Sequence, residues 1–134
     1  MITASDLMIG NYIISGNNGK YDSDMIIGRV LEIGNEDRDF EQIYCECEES
    51  YEWFFKDNYF GIPLTQVWLD KFGFKYLGGA NLIEFNAKWF YGNIHIEQLK
   101  SGEFVFHGQQ IMYVHQLQNL YFLLTGKKII LKKQ

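Results

Sequence analysis

The chain has 134 residues, a formal net charge of −5, and 47% hydrophobic and 17% aromatic residues. This length fits one domain, and the hydrophobic share is large enough to form a core and to exclude a disordered chain. The negative charge argues against a protein that binds duplex DNA, because phosphate binding needs clustered Lys and Arg. The aromatic share exceeds what so small a core hides, so some rings are expected in a pocket or an interface.

The N-terminal half, residues 1–60, has the pattern of a small β-sheet. Strands are predicted at residues 11–15, 25–33 and 41–48, joined by short turns. In the third strand Ile43 and Cys45 face one way and Tyr44 and Glu46 the other. Gly28 is expected at a bulge or at a close approach of two strands. This half is predicted to be an SH3-like curved sheet, plugged by the aromatic segment 51–60.

The C-terminal half, residues 61–134, opens with a short helix predicted near residues 65–72, capped by Thr65 and ended by Gly73. Its buried side is expected to carry Val67, Leu69 and Phe72. A β-meander follows, with strands predicted at residues 82–85, 88–91, 93–99 and 103–107. A last edge strand is predicted at residues 129–131.

A second helix is predicted at residues 113–125, because apolar residues recur there at helical spacing and Gly126 suits a C-cap. The apolar stripe consists of Val114, Leu117, Leu120, Tyr121 and Leu124. The predicted fold class is therefore α+β: an antiparallel SH3-like sheet plus a β-meander, with two helices. One domain over residues 1–134 is expected, made of the halves 1–60 and 61–134.

Three sequence blocks carry a resemblance to a known group of proteins. They are YVHQLQNLYFLLTG at 113–126, MIGNYI at 8–13 and IPLTQVWLDKFGF at 62–74, together about a quarter of the chain. The first block is the most specific. On these blocks the chain resembles small uncharacterised phage and prophage proteins of Bacteroidota. The resemblance implies an accessory phage product and carries over no catalytic residue.

The excess of aromatic residues suggests a pocket in which rings stack on a planar ligand. Stacking of a base on an aromatic ring contributes on the order of 1 to 3 kcal/mol, and phosphates would need donors such as Arg29, Lys56, Lys88 or backbone amides. The candidate ligand-binding residues are Arg29, Tyr44, Trp53, Lys88, Trp89, Tyr91 and His95. The alternative is that these rings only fill the core.

The second predicted helix lacks charge, since no Lys, Arg, Asp or Glu occurs between Phe104 and Gly126. A helix face exposed to solvent normally carries charges, whereas an interface keeps uncharged hydrogen-bonding groups. The candidate interface residues are His115, Gln116, Gln118 and Asn119. Three interpretations stay open for this amide-rich face: a buried helix, a subunit interface, or the wall of a ligand pocket.

Catalytic and metal-binding signals are missing from the sequence. His115 has no visible nucleophile or orienting carboxylate, so a structural role is expected for it and no catalytic residues are assigned. No His stands at metal-ligand spacing from Cys45 and Cys47, and a disulfide across that short spacing would be strained. No signal peptide and no apolar run of ~18 residues is present. A cytoplasmic, non-enzymatic protein without metal, cofactor or membrane partner is predicted.

Two functions compete on this basis. The first is a phage anti-defence protein that sequesters a small nucleotide-type signal in an aromatic pocket of a homo-oligomer. The second is a protein–protein interaction module that inhibits a host protein through its amide-rich face or an acidic face. The acidic face would consist of Glu46, Glu48, Glu49 and Glu52. The alternative interpretation is that these carboxylates only form the solvated surface of a strand. An enzyme and a binder of single-stranded nucleic acid rank below both.

Overall fold

The computed structural model describes residues 6–15, 26–34, 42–48, 50–55, 59–77, 87–129 and 131. The chain divides into two compact units, Met1–Ile62 and Pro63–Gln134. Each unit contains a five-stranded antiparallel sheet, and the two described helices belong to the second unit. The predicted α+β class is confirmed. That the two units form a single domain stays a prediction.

The first unit is a sheet with the strand order β4-β3-β2-β1-β5. Its strands are β1 (Tyr12–Ser15), β2 (Ile26–Gly34), β3 (Gln42–Glu46), β4 (Tyr51–Phe55) and β5 (Tyr59–Gly61). The first strand lies between the second and the last, which is the order of an SH3-like sheet. The segment 51–60 does not plug this sheet as a whole. It supplies β4 and β5, and of its described rings only Phe54 and Tyr59 are buried.

The core of the first unit lies on one face of this sheet. It consists of Leu7, Ile13, Val30, Ile43, Cys45, Phe54 and Tyr59. Gly28 lies at a close approach, as predicted, because a Cβ there would meet Cys45 and Phe54. The bulge occurs later in β2, where the register with β3 shifts between Val30 and Glu32. After the bulge Ile33 again faces the partner residue Ile43 on the core side.

The second unit has the strand order β10-β9-β8-β7-β6. Its elements are α1 (Gln66–Phe72), β6 (Lys75–Leu77), β7 (Ala87–Tyr91), β8 (Ile94–Gln98), β9 (Phe104–Phe106), β10 (Gln109–Ile111) and α2 (Val114–Thr125). The predicted strand 82–85 lies outside the described residues. Ile129 and Leu131 belong to no strand, so the predicted edge strand does not form at these two positions.

Both described helices have the predicted ends. The Thr65 hydroxyl accepts a hydrogen bond from the Trp68 N–H at 3.4 Å, and Gly73 and Gly126 end α1 and α2 in the left-handed conformation. The predicted buried faces are only partly correct. Val67 is exposed, because α1 buries Trp68, Leu69 and Phe72 instead.

Burial declines along α2. Val114 and Leu117 are fully buried, whereas Leu124 is exposed, contrary to its place in the predicted apolar stripe. The reason is that only the first turns of α2 pack into the core of the unit. With 7 and 12 residues, neither described helix has the length and apolar character needed to cross a membrane.

Candidate functional site

The predicted ligand-binding residues divide between the two units. Arg29, Tyr44 and Trp53 belong to the sheet of the first unit. The other four lie on β7 and β8 of the second unit: Lys88, Trp89, Tyr91 and His95. Each group is therefore described within its own unit.

In the second unit a pocket of about 820 Å³ opens beside β8. It is lined by Lys88, Asn93, Ile94, His95, Glu97, Leu99, Val105, Phe106, His107, Gly108, Leu124 and Thr125. The pocket thus joins residues of three strands, the β9–β10 turn and the end of α2. It contains two of the predicted ligand-binding residues, Lys88 and His95.

Strand register explains why these polar side chains meet. Lys88 is the cross-strand partner of Glu97, and Glu97 is in turn the partner of Val105. Partners in an antiparallel pair project from the same face of the sheet. His95 lies on this face too, since the alternate residues Ile94 and Ile96 are buried. Among the described residues, the Lys88 ammonium makes no ion pair.

A two-residue turn brings His107 and Gly108 to the pocket. Both residues have positive φ, 48° for His107 and 80° for Gly108, as a type I′ hairpin turn requires. The Phe106 ring contacts the His107 ring edge-on, at 4.4 Å between centroids. Phe106 and His107 are not among the predicted site residues, because the last meander strand is predicted to run to residue 107, whereas residues 107–108 form an X-Gly hairpin turn.

Trp89 and Tyr91 point to the opposite face of β7. Trp89 is buried and packs against Tyr76 at 4.9 Å between ring centroids. Tyr91 contacts Phe74 at 5.4 Å and Tyr121 at 5.6 Å. Neither lines the pocket that holds Lys88 and His95. Tyr91 therefore belongs to the packing between the sheet and α2, and Trp89 to the pairing of β7 with β6.

In the first unit the exposed face of β3 and β4 carries four rings, Tyr44, Tyr51, Trp53 and Phe55, named here the aromatic face. Tyr44 stacks on Tyr51 at 6.1 Å and lies 4.9 Å from Trp53. Arg29 lies next to these rings but its guanidinium forms an ion pair with Glu46 at 3.2 Å. The three predicted residues of this unit therefore share one surface.

The amide-rich face of α2 is largely internal. His115 and Gln118 are only 2% and 5% exposed. The His115 ring stacks on Tyr113, and the Gln118 amide donates a hydrogen bond to the Ile129 carbonyl at 3.4 Å. Gln116 is exposed, and Asn119 is half-buried. An interface role for this face stays a prediction. Of the four candidate residues, only Gln116 and Asn119 are exposed enough to contact a partner.

The acidic residues do not form the single face that the sequence suggested. Glu46 is paired with Tyr51 on the exposed side, whereas Glu52 is the partner of the buried Cys45, and neighbouring residues of a strand alternate between faces. Glu49 lies outside the described residues. Within the part of the chain that is described, no three His, Cys, Asp or Glu side chains are grouped to hold a metal ion.

Both cysteines are free thiols. Burial, and next the neighbouring Cys47, raises the pKa of Cys45 to about 12. Burial, with the carboxylate of Glu52 second, also raises the pKa of Cys47. A raised pKa keeps a thiol protonated and therefore weakly nucleophilic, so this pair is suited to packing rather than to covalent chemistry.

Comparison with protein-family models, with curated proteins and with solved structures finds no match to this chain. The pocket and the aromatic face must therefore be interpreted from their own chemistry.

Proposed function

We propose that the protein is a non-enzymatic binding protein that takes up a small nucleotide-type ligand in the pocket of its second unit. The observation that carries this proposal is a cavity of about 820 Å³ that joins Lys88, His95 and His107 to the ring of Phe106. Small-molecule sites typically measure ≈ 300–1,000 Å³ and place a few polar groups on apolar walls.

The residues of the pocket match the parts of a nucleotide. The Lys88 ammonium attracts a phosphate, and the His95 and His107 imidazoles supply further hydrogen-bond donors. The Phe106 ring offers a face on which a base stacks. Glu97 supplies carboxylate oxygens that accept hydrogen bonds from ribose hydroxyls.

Binding without turnover agrees with the side chains in the pocket. The described lining residues include no Ser or Cys, the side chains that most often act as nucleophiles in covalent catalysis. For a phage product of the kind that the resemblance implies, holding a nucleotide signal of the host would counter a host defence without any chemical step. Phage origin and a cytoplasmic location are parts of this proposal.

Isothermal titration calorimetry of the full chain against cyclic mononucleotides, cyclic dinucleotides and ADP-ribose tests the proposal. We expect at least one ligand to bind with a Kd below about 10 μM, equivalent to about −7 kcal/mol. If no member of the panel binds more tightly than that, the proposal is wrong.

Three variants locate the site. Lys88→Gln and His107→Asn should each weaken binding by about tenfold, because the first removes the ammonium charge that attracts the phosphate and the second replaces the imidazole donor by a shorter amide. Asn is chosen at position 107 because Asn-Gly is a preferred type I′ turn and keeps the hairpin. Lys71→Gln, an exposed lysine of α1 outside the pocket, is the control and should leave the affinity unchanged.

A further inference from the structure

We propose that the aromatic face of the first unit binds the lysine or arginine side chains of a basic segment of another protein. This surface shares no residue with the pocket of the second unit. Binding at the aromatic face is therefore independent of nucleotide binding.

The aromatic face exposes more ring surface than folding requires. Tyr51, Trp53 and Phe55 are 61%, 40% and 49% exposed, and none of them belongs to the described core of their unit. They alternate with Glu52 and the buried Phe54 along β4, so all three project from one side of the sheet. A contiguous exposed apolar patch of this kind marks an interaction site, whereas single apolar residues scattered over a surface do not.

The charges around the rings select the partner. Glu32 is the cross-strand partner of Tyr44, which is in turn the partner of Trp53. In the same way, Glu46 is the cross-strand partner of both Arg29 and Tyr51. Because Arg29 is neutralised by its 3.2 Å ion pair with Glu46, the carboxylate of Glu32 gives the described part of this surface a net negative charge.

Rings beside a carboxylate favour a cation. The faces of Trp and Tyr attract ammonium and guanidinium groups through their quadrupoles, and a nearby carboxylate strengthens that attraction. A phosphate backbone would meet repulsion from Glu32 and from a chain with a net charge of −5. The chemistry therefore fits a lysine- or arginine-bearing segment better than single-stranded nucleic acid, which would also stack on rings.

Titration with three probes tests the proposal: a ten-residue peptide of alternating Lys and Gly, the same peptide with Gln for Lys, and a ten-nucleotide thymidine strand. Trp53 reports binding by its fluorescence, since Trp68 and Trp89 are buried. We expect the lysine peptide to bind about tenfold more tightly than the glutamine peptide and to weaken as salt is added.

Variants of the face complete the experiment, with calorimetry as the measurement. Glu32→Gln and Trp53→Ala should each lower the affinity for the lysine peptide by about fivefold or more. Tyr51→Ala is a second ring variant, because the ring of Tyr51 is the most exposed of the four. Asp70→Asn, which removes an exposed carboxylate from α1, is the control and should not change the affinity.

Three results would overturn the proposal. One is a lysine peptide that does not bind below about 1 mM. Another is a thymidine strand that binds more tightly than the peptide, which would make the face a nucleic-acid surface. The third is an affinity for the lysine peptide that neither Trp53→Ala nor Tyr51→Ala changes, although circular dichroism shows that both variants are folded.

Discussion

The backbone of Gly28 in β2 lies directly against Cys45 in β3. A Cβ atom on Gly28 would lie 2.8 Å from the Cβ of Cys45 and 3.0 Å from the ring of Phe54. Gly28→Ala should therefore destabilise the first unit by about 1–3 kcal/mol, because the added methyl group forces the packed core apart. Urea denaturation followed by circular dichroism measures this loss.

Gly34→Ala is the matched control in the same strand. A Cβ there would meet the Cγ of Gln42 at 3.3 Å and the Gln42 carbonyl oxygen at 3.4 Å, both longer than the contacts at Gly28. The expected loss is below about 1 kcal/mol. Equal destabilisation by the two substitutions would contradict the close approach of Gly28 and Cys45.

The two thiols should make the protein less stable at high pH. The pKa of Cys45 is about 12 in the folded protein against an ordinary value of 9.0, so the folded state holds its proton more firmly than the unfolded state. This contribution to stability is complete below pH 9.0 and is lost as the pH rises from there towards 12. Urea denaturation of the wild type and of Cys45→Ala at pH 8 and pH 10 tests it: the wild type should lose more stability than the variant.

Thiol labelling with an aromatic disulfide at pH 8 gives a second readout. Cys45 should react only when urea unfolds the chain, since it is buried and protonated. Cys47 should react, but more slowly than a free cysteine, because its pKa is raised too. Two rapidly reacting thiols in the folded protein would contradict the environment described for Cys45.

The helix ends were predictable from sequence because they depend on local chemistry. Thr65, Gly73 and Gly126 each act within one turn of their own helix, through a side-chain acceptor or a positive φ. The alternation of Ile43 and Cys45 with Tyr44 was readable for the same reason, since a strand has a period of two.

The candidate sites were not predictable to the same degree, because they depend on which strands become neighbours. Trp89 and Lys88 are adjacent in sequence but project from opposite faces of β7, and only the register with β8 shows that Lys88 meets Glu97. Composition likewise showed that rings must be exposed but not which ones. The pairing of β3 with β4 is what assembles Tyr44 and Trp53 on one surface.

Two glutamines of α2 should respond in opposite ways to the same substitution. The Gln116 side-chain oxygen accepts hydrogen bonds from the backbone N–H groups of Met112 and Tyr113, at 2.8 and 3.1 Å. Gln116→Glu keeps this acceptor and places a negative charge at the helix N-terminus, so it should be neutral or stabilise by about 0.5 kcal/mol.

Gln118→Glu should instead destabilise the protein by about 2 kcal/mol. The Gln118 amide is buried and donates to the Ile129 carbonyl, which a carboxylate cannot do. Thermal unfolding of both variants at pH 7 measures the difference. A higher stability of Gln118→Glu than of Gln116→Glu would show that this face of α2 is open to solvent.

The exposed end of α2 is expected to hold copies of the chain together. Leu123 is 80% exposed, and Leu124 next to it is exposed as well. Two adjacent exposed leucines favour self-association. We expect light scattering to show a homo-oligomer that Leu123→Gln dissociates, while Val67→Gln, which changes an exposed residue of α1, does not. A wild-type protein that is monomeric at about 100 μM would contradict this expectation, because any association would then be weaker than about −5.5 kcal/mol.

The turn between β9 and β10 gives a last prediction that separates folding from binding. Because Gly108 has a φ of 80°, Gly108→Ala strains the turn and should destabilise the protein by about 1 kcal/mol. His107→Asn should have no such effect, since Asn adopts the φ of 48° more readily than His. The melting temperature should therefore fall for Gly108→Ala and stay level or rise for His107→Asn. Since His107→Asn also removes an imidazole from the pocket, unchanged stability together with weakened nucleotide binding would assign the loss to the side chain rather than to the fold.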